Sequence, residues 1–248
     1  MIKKFLYLQL LCMVLSAKTL FAVPSCVIIS PVNNAGSSYN NTPFLLIRGT
    51  SDDATFINDI AVQIASNSTF QTLVYVSTSV VSYRDYFSLL GTGVTIDSRH
   101  RVQTSITDGT RYIRAKVAKA ANMLEPLRWS NWSATIQIAI AADFAWTQSG
   151  AGTYVSAGTT QIRYLDFNEL DSAIDQLRSF RGSGAGSYPG VAAGDQMTIG
   201  HMTSLRNDLQ TPFNNATGSA PAYTDTPASG SNIKAVHINE MRDRILLP

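Results

Sequence analysis

Three nine-residue segments in the second half of the chain align with one another without a gap. They are Ile162-Arg163-Tyr164-Leu165-Asp166-Phe167-Asn168-Glu169-Leu170, Met197-Thr198-Ile199-Gly200-His201-Met202-Thr203-Ser204-Leu205 and Ile233-Lys234-Ala235-Val236-His237-Ile238-Asn239-Glu240-Met241. Their starts lie 35 and 36 residues apart, the spacing of a repeated supersecondary unit. Apolar residues fall at helical intervals: Phe167, Leu170, Ile174 and Leu177, then Met202, Leu205 and Leu209, then Ile238, Met241 and Ile245. Such spacing puts one apolar stripe on each helix. A lone helix of about a dozen residues is marginal in water, so the stripes must meet or cover another apolar surface. Residues 143–248 are therefore expected to form a small, mainly α domain of three helical repeats. Leu170, Ile174, Leu205, Leu209, Met241 and Ile245 should be its most buried members. Stretches rich in Gly and Ser at 182–187 and 217–221 read as linkers. Phe144-Ala145-Trp146-Thr147, ahead of the first copy, is echoed by Ala222-Tyr223-Thr224-Asp225 ahead of the third.

The first half follows a different period. Short apolar or alternating runs recur between turn signals at 26–30, 43–48, 60–65, 72–76, 101–106, 112–118 and 134–140, which is the pattern of an all-β sandwich. Along the strand at 112–118, Tyr112, Arg114 and Lys116 share one face while Ile113, Ala115 and Val117 share the other. Trp129 and Trp132 follow about a dozen residues later in Trp129-Ser130-Asn131-Trp132-Ser133. The indoles are expected to interleave with Arg111, Arg114 and Lys116 as a ladder, each rung worth on the order of 0.5–1 kcal/mol when exposed. Tyr112 belongs on the outer face with these cations, since turning the alternate face inward would bury Arg114 and Lys116.

The cation strand followed by the tryptophan motif resembles the last two strands of a fibronectin type III domain. Ile60-Ala61-Val62-Gln63-Ile64 before Ser66-Asn67-Ser68-Thr69-Phe70 resembles the third strand and turn of bacterial members. Ile106-Thr107-Asp108-Gly109-Thr110-Arg111-Tyr112 resembles the turn into the sixth strand. The three repeats resemble a small helical repeat of bacterial surface and secreted proteins. Together these imply an all-β fibronectin type III-like sandwich over 23–142, followed by the three-repeat helical domain over 143–248. Neither resemblance implies a catalytic activity.

Residues 1–22 read as a signal peptide: Met1-Ile2-Lys3-Lys4 is basic, residues 5–15 are apolar, and Leu20-Phe21-Ala22 precedes a cleavage point. The apolar run is too short to anchor in a bilayer, so a secreted, extracellular or cell-surface protein without a transmembrane span is expected. The leader holds Lys3, Lys4 and Lys18 and no acid. The 19 basic residues less these three leave 16 against 17 acidic ones, with no clustered cations to hold nucleic acid. Cys26 is then the sole cysteine. It could carry a lipid, pair between chains, or serve as a small buried apolar group.

Recognisable chemistry is sparse. No Gly-x-Ser-x-Gly elbow, His-Glu-x-x-His pair or phosphate loop occurs, so neither an enzyme nor a cofactor is expected. Asp166, His201 and His237 share one repeat position, and three helices could in principle converge them on a metal. Capping of helix starts explains the same polarity more simply, with Asp166 and Glu169 as a capping box, so no metal is expected. The 81–100 insertion gathers Tyr83, Tyr86 and Phe87 beside charges, the composition of a recognition surface. A non-catalytic interaction or structural protein is the leading expectation, engaging an extracellular protein, a glycan or copies of itself in adhesion or extracellular assembly. A carbohydrate-binding accessory protein, stacking sugars on exposed aromatics, is the alternative.

Overall fold

The computed structural model describes residues 23–34, 36–51, 56–77, 94–120, 128–141, 144, 146–147, 161–228 and 230–247. The expected signal peptide and the expected recognition residues Tyr83, Tyr86 and Phe87 lie outside these. The strands are β1 (Ser25–Ser30), β2 (Ser37–Ser38), β3 (Phe44–Ser51), β4 (Phe56–Ala65), β5 (Leu73–Ser77), β6 (Val94–Arg101), β7 (Gly109–Ala120), β8 (Arg128–Trp129) and β9 (Ile136–Ile140). Three helices follow: α1 (Tyr164–Arg181), α2 (Ile199–Thr217) and α3 (Ala235–Leu246).

One sheet has the order β1-β3-β6, the other β2-β9-β7-β4-β5, with β8 also on β7. Their inward residues form a single core, in which Leu45 and Ile47 of β3 meet Val62 and Ile64 of β4 and Ile113, Ala115 and Val117 of β7. Alternation on β7 is strict over 112–117: Tyr112, Arg114 and Lys116 are half-exposed while their neighbours are buried. Two strand expectations need correction. The strand expected at 101–106 lies earlier, as β6, within the segment read as a loop insertion. It stops at Arg101 because its partner β3 begins at Phe44 after Pro43, which has no N–H to extend the ladder. Beyond it, Val102 and Ile106 donate to the carbonyls of Pro43 and Asn41 instead. The tryptophan motif does not open the last strand either, as β9 starts at Ile136.

The helical stripes meet as their spacing demands. Leu170, Ile174, Leu205, Leu209 and Met241 are fully buried in one core with Phe167, Met202 and Ile238. Each helix starts from an extended residue: Arg163, Thr198 or Lys234. The repeat position reaches back from three residues later to accept that residue's N–H. Asp166 does so at 2.7 Å, and Nδ1 of His201 and of His237 at 3.2 Å. Asp166 is thus the third residue of α1 and not its cap, because the helix runs a full turn further back than expected.

The two parts interlock. Phe180, near the end of α1, belongs to the sandwich core, while Tyr39, between β2 and β3, belongs to the helical core. Val32 donates to the Phe180 carbonyl at 2.9 Å, and Asn40 Nδ2 to the Leu247 carbonyl at 2.6 Å. Arg181 is 3% exposed and donates to the Phe44 carbonyl; burial pushes its guanidinium down to about 9. Gly36, at φ 58°, passes so close to α1 that a Cβ would lie 2.3 Å from the Gln176 carbonyl oxygen. Only glycine allows both that conformation and that approach.

Candidate functional site

On the outer face of the larger sheet, five side chains form one stack. Lys116 Nζ lies 4.6 Å from the Trp129 ring and 4.8 Å from that of Trp132. The Arg114 guanidinium lies 4.6 Å from Trp132 and 4.0 Å from Phe70. Its order is therefore Trp129, Lys116, Trp132, Arg114, Phe70. The strand places the cations two residues apart, and Gln63, opposite Arg114 on β4, accepts from Arg114 at 2.7 and 2.9 Å. The tryptophans advance three residues for every two of β7, and the serines between them make this possible. Ser130 exchanges backbone and side-chain hydrogen bonds with Val117, and Ser133 does the same with Ala115. Each serine thus completes a ladder where a regular strand is missing.

Arg111 does not join the stack. Its odd position puts it on the opposite face of β7, where it is 8% exposed and donates to the carbonyls of Thr107, Asp108 and Thr110. Its guanidinium closes the turn into the strand. Phe70 was not foreseen as a rung; it sits at the β4–β5 turn with φ 56°, and nothing local in the sequence marks its partner.

A second set of cation–aromatic contacts joins the repeats. The Trp146 ring lies 4.4 Å from the guanidinium of Arg242, on α3. That group also lies 3.3 Å from Asp166 and 3.9 Å from Glu169 of the first copy. Glu169 in turn accepts the Thr147 N–H at 3.0 Å. The third copy repeats the pattern on α2. Tyr223 lies 4.0 Å from Arg206, Arg206 lies 3.6 Å from Glu240, and Glu240 accepts the Thr224 N–H at 2.9 Å. His237 donates from Nε2 to Asp225, its Nδ1 being engaged at Lys234. That bond, with Lys234 beside it, holds Asp225 below the usual carboxylate range. Arg206 and Arg242 occupy the same repeat position, a signal legible in the alignment. The copy-two junction keeps an aromatic and the histidine but differs at the remaining points. Tyr188 stands where Trp146 and Tyr223 do, but is followed by Pro189, which has no N–H. The glutamate is Ser204, and the arginine position is Asp171.

Asp166, His201 and His237 thus serve three separate junctions. Among the described residues, no group of three ligand-type side chains could hold a metal ion. Cys26 lies on the inward side of β1 against the sandwich core, and burial pushes its thiol up to about 12. A thiol so placed stays protonated. No described helix is long and apolar enough to cross a membrane. No protein-family model matches the chain, and no curated protein matches it.

Proposed function

We propose that this chain is an exported, non-catalytic interaction or structural protein of the extracellular space or cell surface. In this reading a fibronectin type III-like sandwich and three helical repeats act as one body in adhesion or assembly. One observation carries it. The chemically distinctive residues are taken up by the fold itself: Trp129, Trp132, Arg114 and Lys116 in the stack, Asp166, His201 and His237 at helix starts, Arg206 and Arg242 between repeats. A site for chemistry needs ionisable groups poised toward a substrate, and these are engaged with one another. The carbohydrate-binding alternative draws no support from Trp132, whose ring lies against both Arg114 and Lys116. Light scattering of the full chain at rising concentration, beside a glycan array, tests the proposal. Self-association or capture of an extracellular protein with a blank array supports it. Saturable binding to a defined sugar would replace it with the accessory-protein reading.

A further inference from the structure

Along one side of the sandwich the two sheets are closed by a histidine–tyrosine pair. β5 ends the larger sheet and β6 the smaller. Among the described residues each pairs on one side only, β5 with β4 and β6 with β3. Between these two edges the Tyr75 hydroxyl and Nε2 of His100 share a hydrogen bond of 3.0 Å, with ring centroids 6.0 Å apart. Tyr75 is the one buried side chain of β5. Leu73 and Val76 are exposed, and Val74, half-buried, sits at a break in the register with β4. The strand therefore grips the core mainly through the residue that bonds His100.

His100 is 2% exposed, and among the described residues no charged group faces it. β3 sets Leu45 opposite it, and β5 presents Tyr75. Arg48 of β3 and Asp97, Arg99 and Arg101 of β6 alternate onto the outer face, where Arg48 and Asp97 pair at 2.6 Å. Cys26 of β1 lies on the far side of β3. A proton on this imidazole leaves the bond to Tyr75 possible, but it puts a charge where no water and no counter-charge can stabilise it. Water reaches the ring where the covering strand is held least. β6 pairs with β3 along its whole length from Val94 to Arg101, whereas the shorter β5 pairs with β4 across a bulge. We propose that this side of the sandwich is an acid-opened seam: with His100 neutral β5 is fastened to β6, and with His100 protonated β5 lifts away and lets water reach the ring. Burial pushes the imidazole down to about 4 from its ordinary 6.5. Since the open state binds the proton more tightly than the closed one, the seam is fully fastened above about pH 6.5 and gives way as pH falls toward 4. Opening bares the backbone groups with which β4 pairs β5.

Native-state amide hydrogen exchange of the full chain at pH 7.5 and 5.0, corrected for intrinsic rates and repeated in low urea, tests this. The β5 amides bonded to β4 should lose protection about 25-fold at pH 5.0 if His100 moves between its ordinary value and about 4. Their exchange should depend weakly on urea, as a local opening does, while β7 amides follow the steeper dependence of global unfolding. In His100→Gln the pH difference should vanish. NMR titration of the His100 ring needs no variant, and its midpoint is expected near 4. A midpoint near 6.5, β5 amides that share the urea dependence of β7, or a pH difference that survives in His100→Gln overturns the proposal.

Discussion

Phe180→Ala tests whether the β and helical parts are one cooperative body. The ring is fully buried, projects from α1, and packs in the sandwich core with residues such as Ile28 and Leu45. Burying a phenylalanine removes about 150–250 Å² from water. At about 25 cal/mol per Å² this is roughly 4–6 kcal/mol, and phenylalanine-to-alanine substitutions in cores cost about 3–5 kcal/mol. Against a total stability of about 5–15 kcal/mol, the loss should be plain. Urea denaturation in a Trp146→Phe background, which leaves Trp129 and Trp132 on the sheet as the fluorescent reporters, followed by tryptophan fluorescence and by far-UV circular dichroism at 222 nm, the helical wavelength, is the assay. Both signals should move together, by about 3–5 kcal/mol, in one transition. If the parts were independent, the helical core, which does not contain Phe180, would hold its stability. A helical transition unchanged from the wild type while the fluorescence transition shifts would refute the reasoning.

Trp132→Ala should destabilise the protein by about 1–3 kcal/mol, because the ring serves both Arg114 and Lys116; an unchanged melting temperature would count against the stack. Arg242→Ala should cost about 3–5 kcal/mol, since it leaves Asp166, 0% exposed, without its ion-pair partner, and denaturation of Asp166→Asn/Arg242→Met beside it should show recovery. His100, buried and within 3.0 Å of the Tyr75 hydroxyl, is pushed by burial down to about 4. Its contribution is complete above about pH 6.5 and is lost as pH falls toward 4, by up to about 3 kcal/mol. His100→Gln should therefore flatten the acid limb of the stability–pH profile measured by urea titration.

Local periodicity alone was enough for much of this molecule. The aligned repeats foretell three helices, and their stripes foretell which residues share the core, because a 3.6-residue period fixes which side chains lie on one face. Likewise the two-residue period of β7 puts Tyr112, Arg114 and Lys116 outward, and with them half of the stack. The same rule excludes Arg111 from the stack, since its odd position puts it on the opposite face. What periodicity cannot state is the partner of a group once the chain returns from far away. Phe70 reaches Arg114 only because β4 and β7 are paired and the turn after β4 folds back across them. The Asp208 carbonyl, which Pro212 leaves without a helical donor, finds Arg178 thirty residues earlier in the chain. Phe180 leaves its own stripe for the sandwich core, and Tyr39 crosses the other way. These choices rest on the demand that buried polar groups be satisfied and apolar ones packed. That demand is met by whichever neighbours the tertiary structure brings within a few ångströms, and no window of sequence contains both partners.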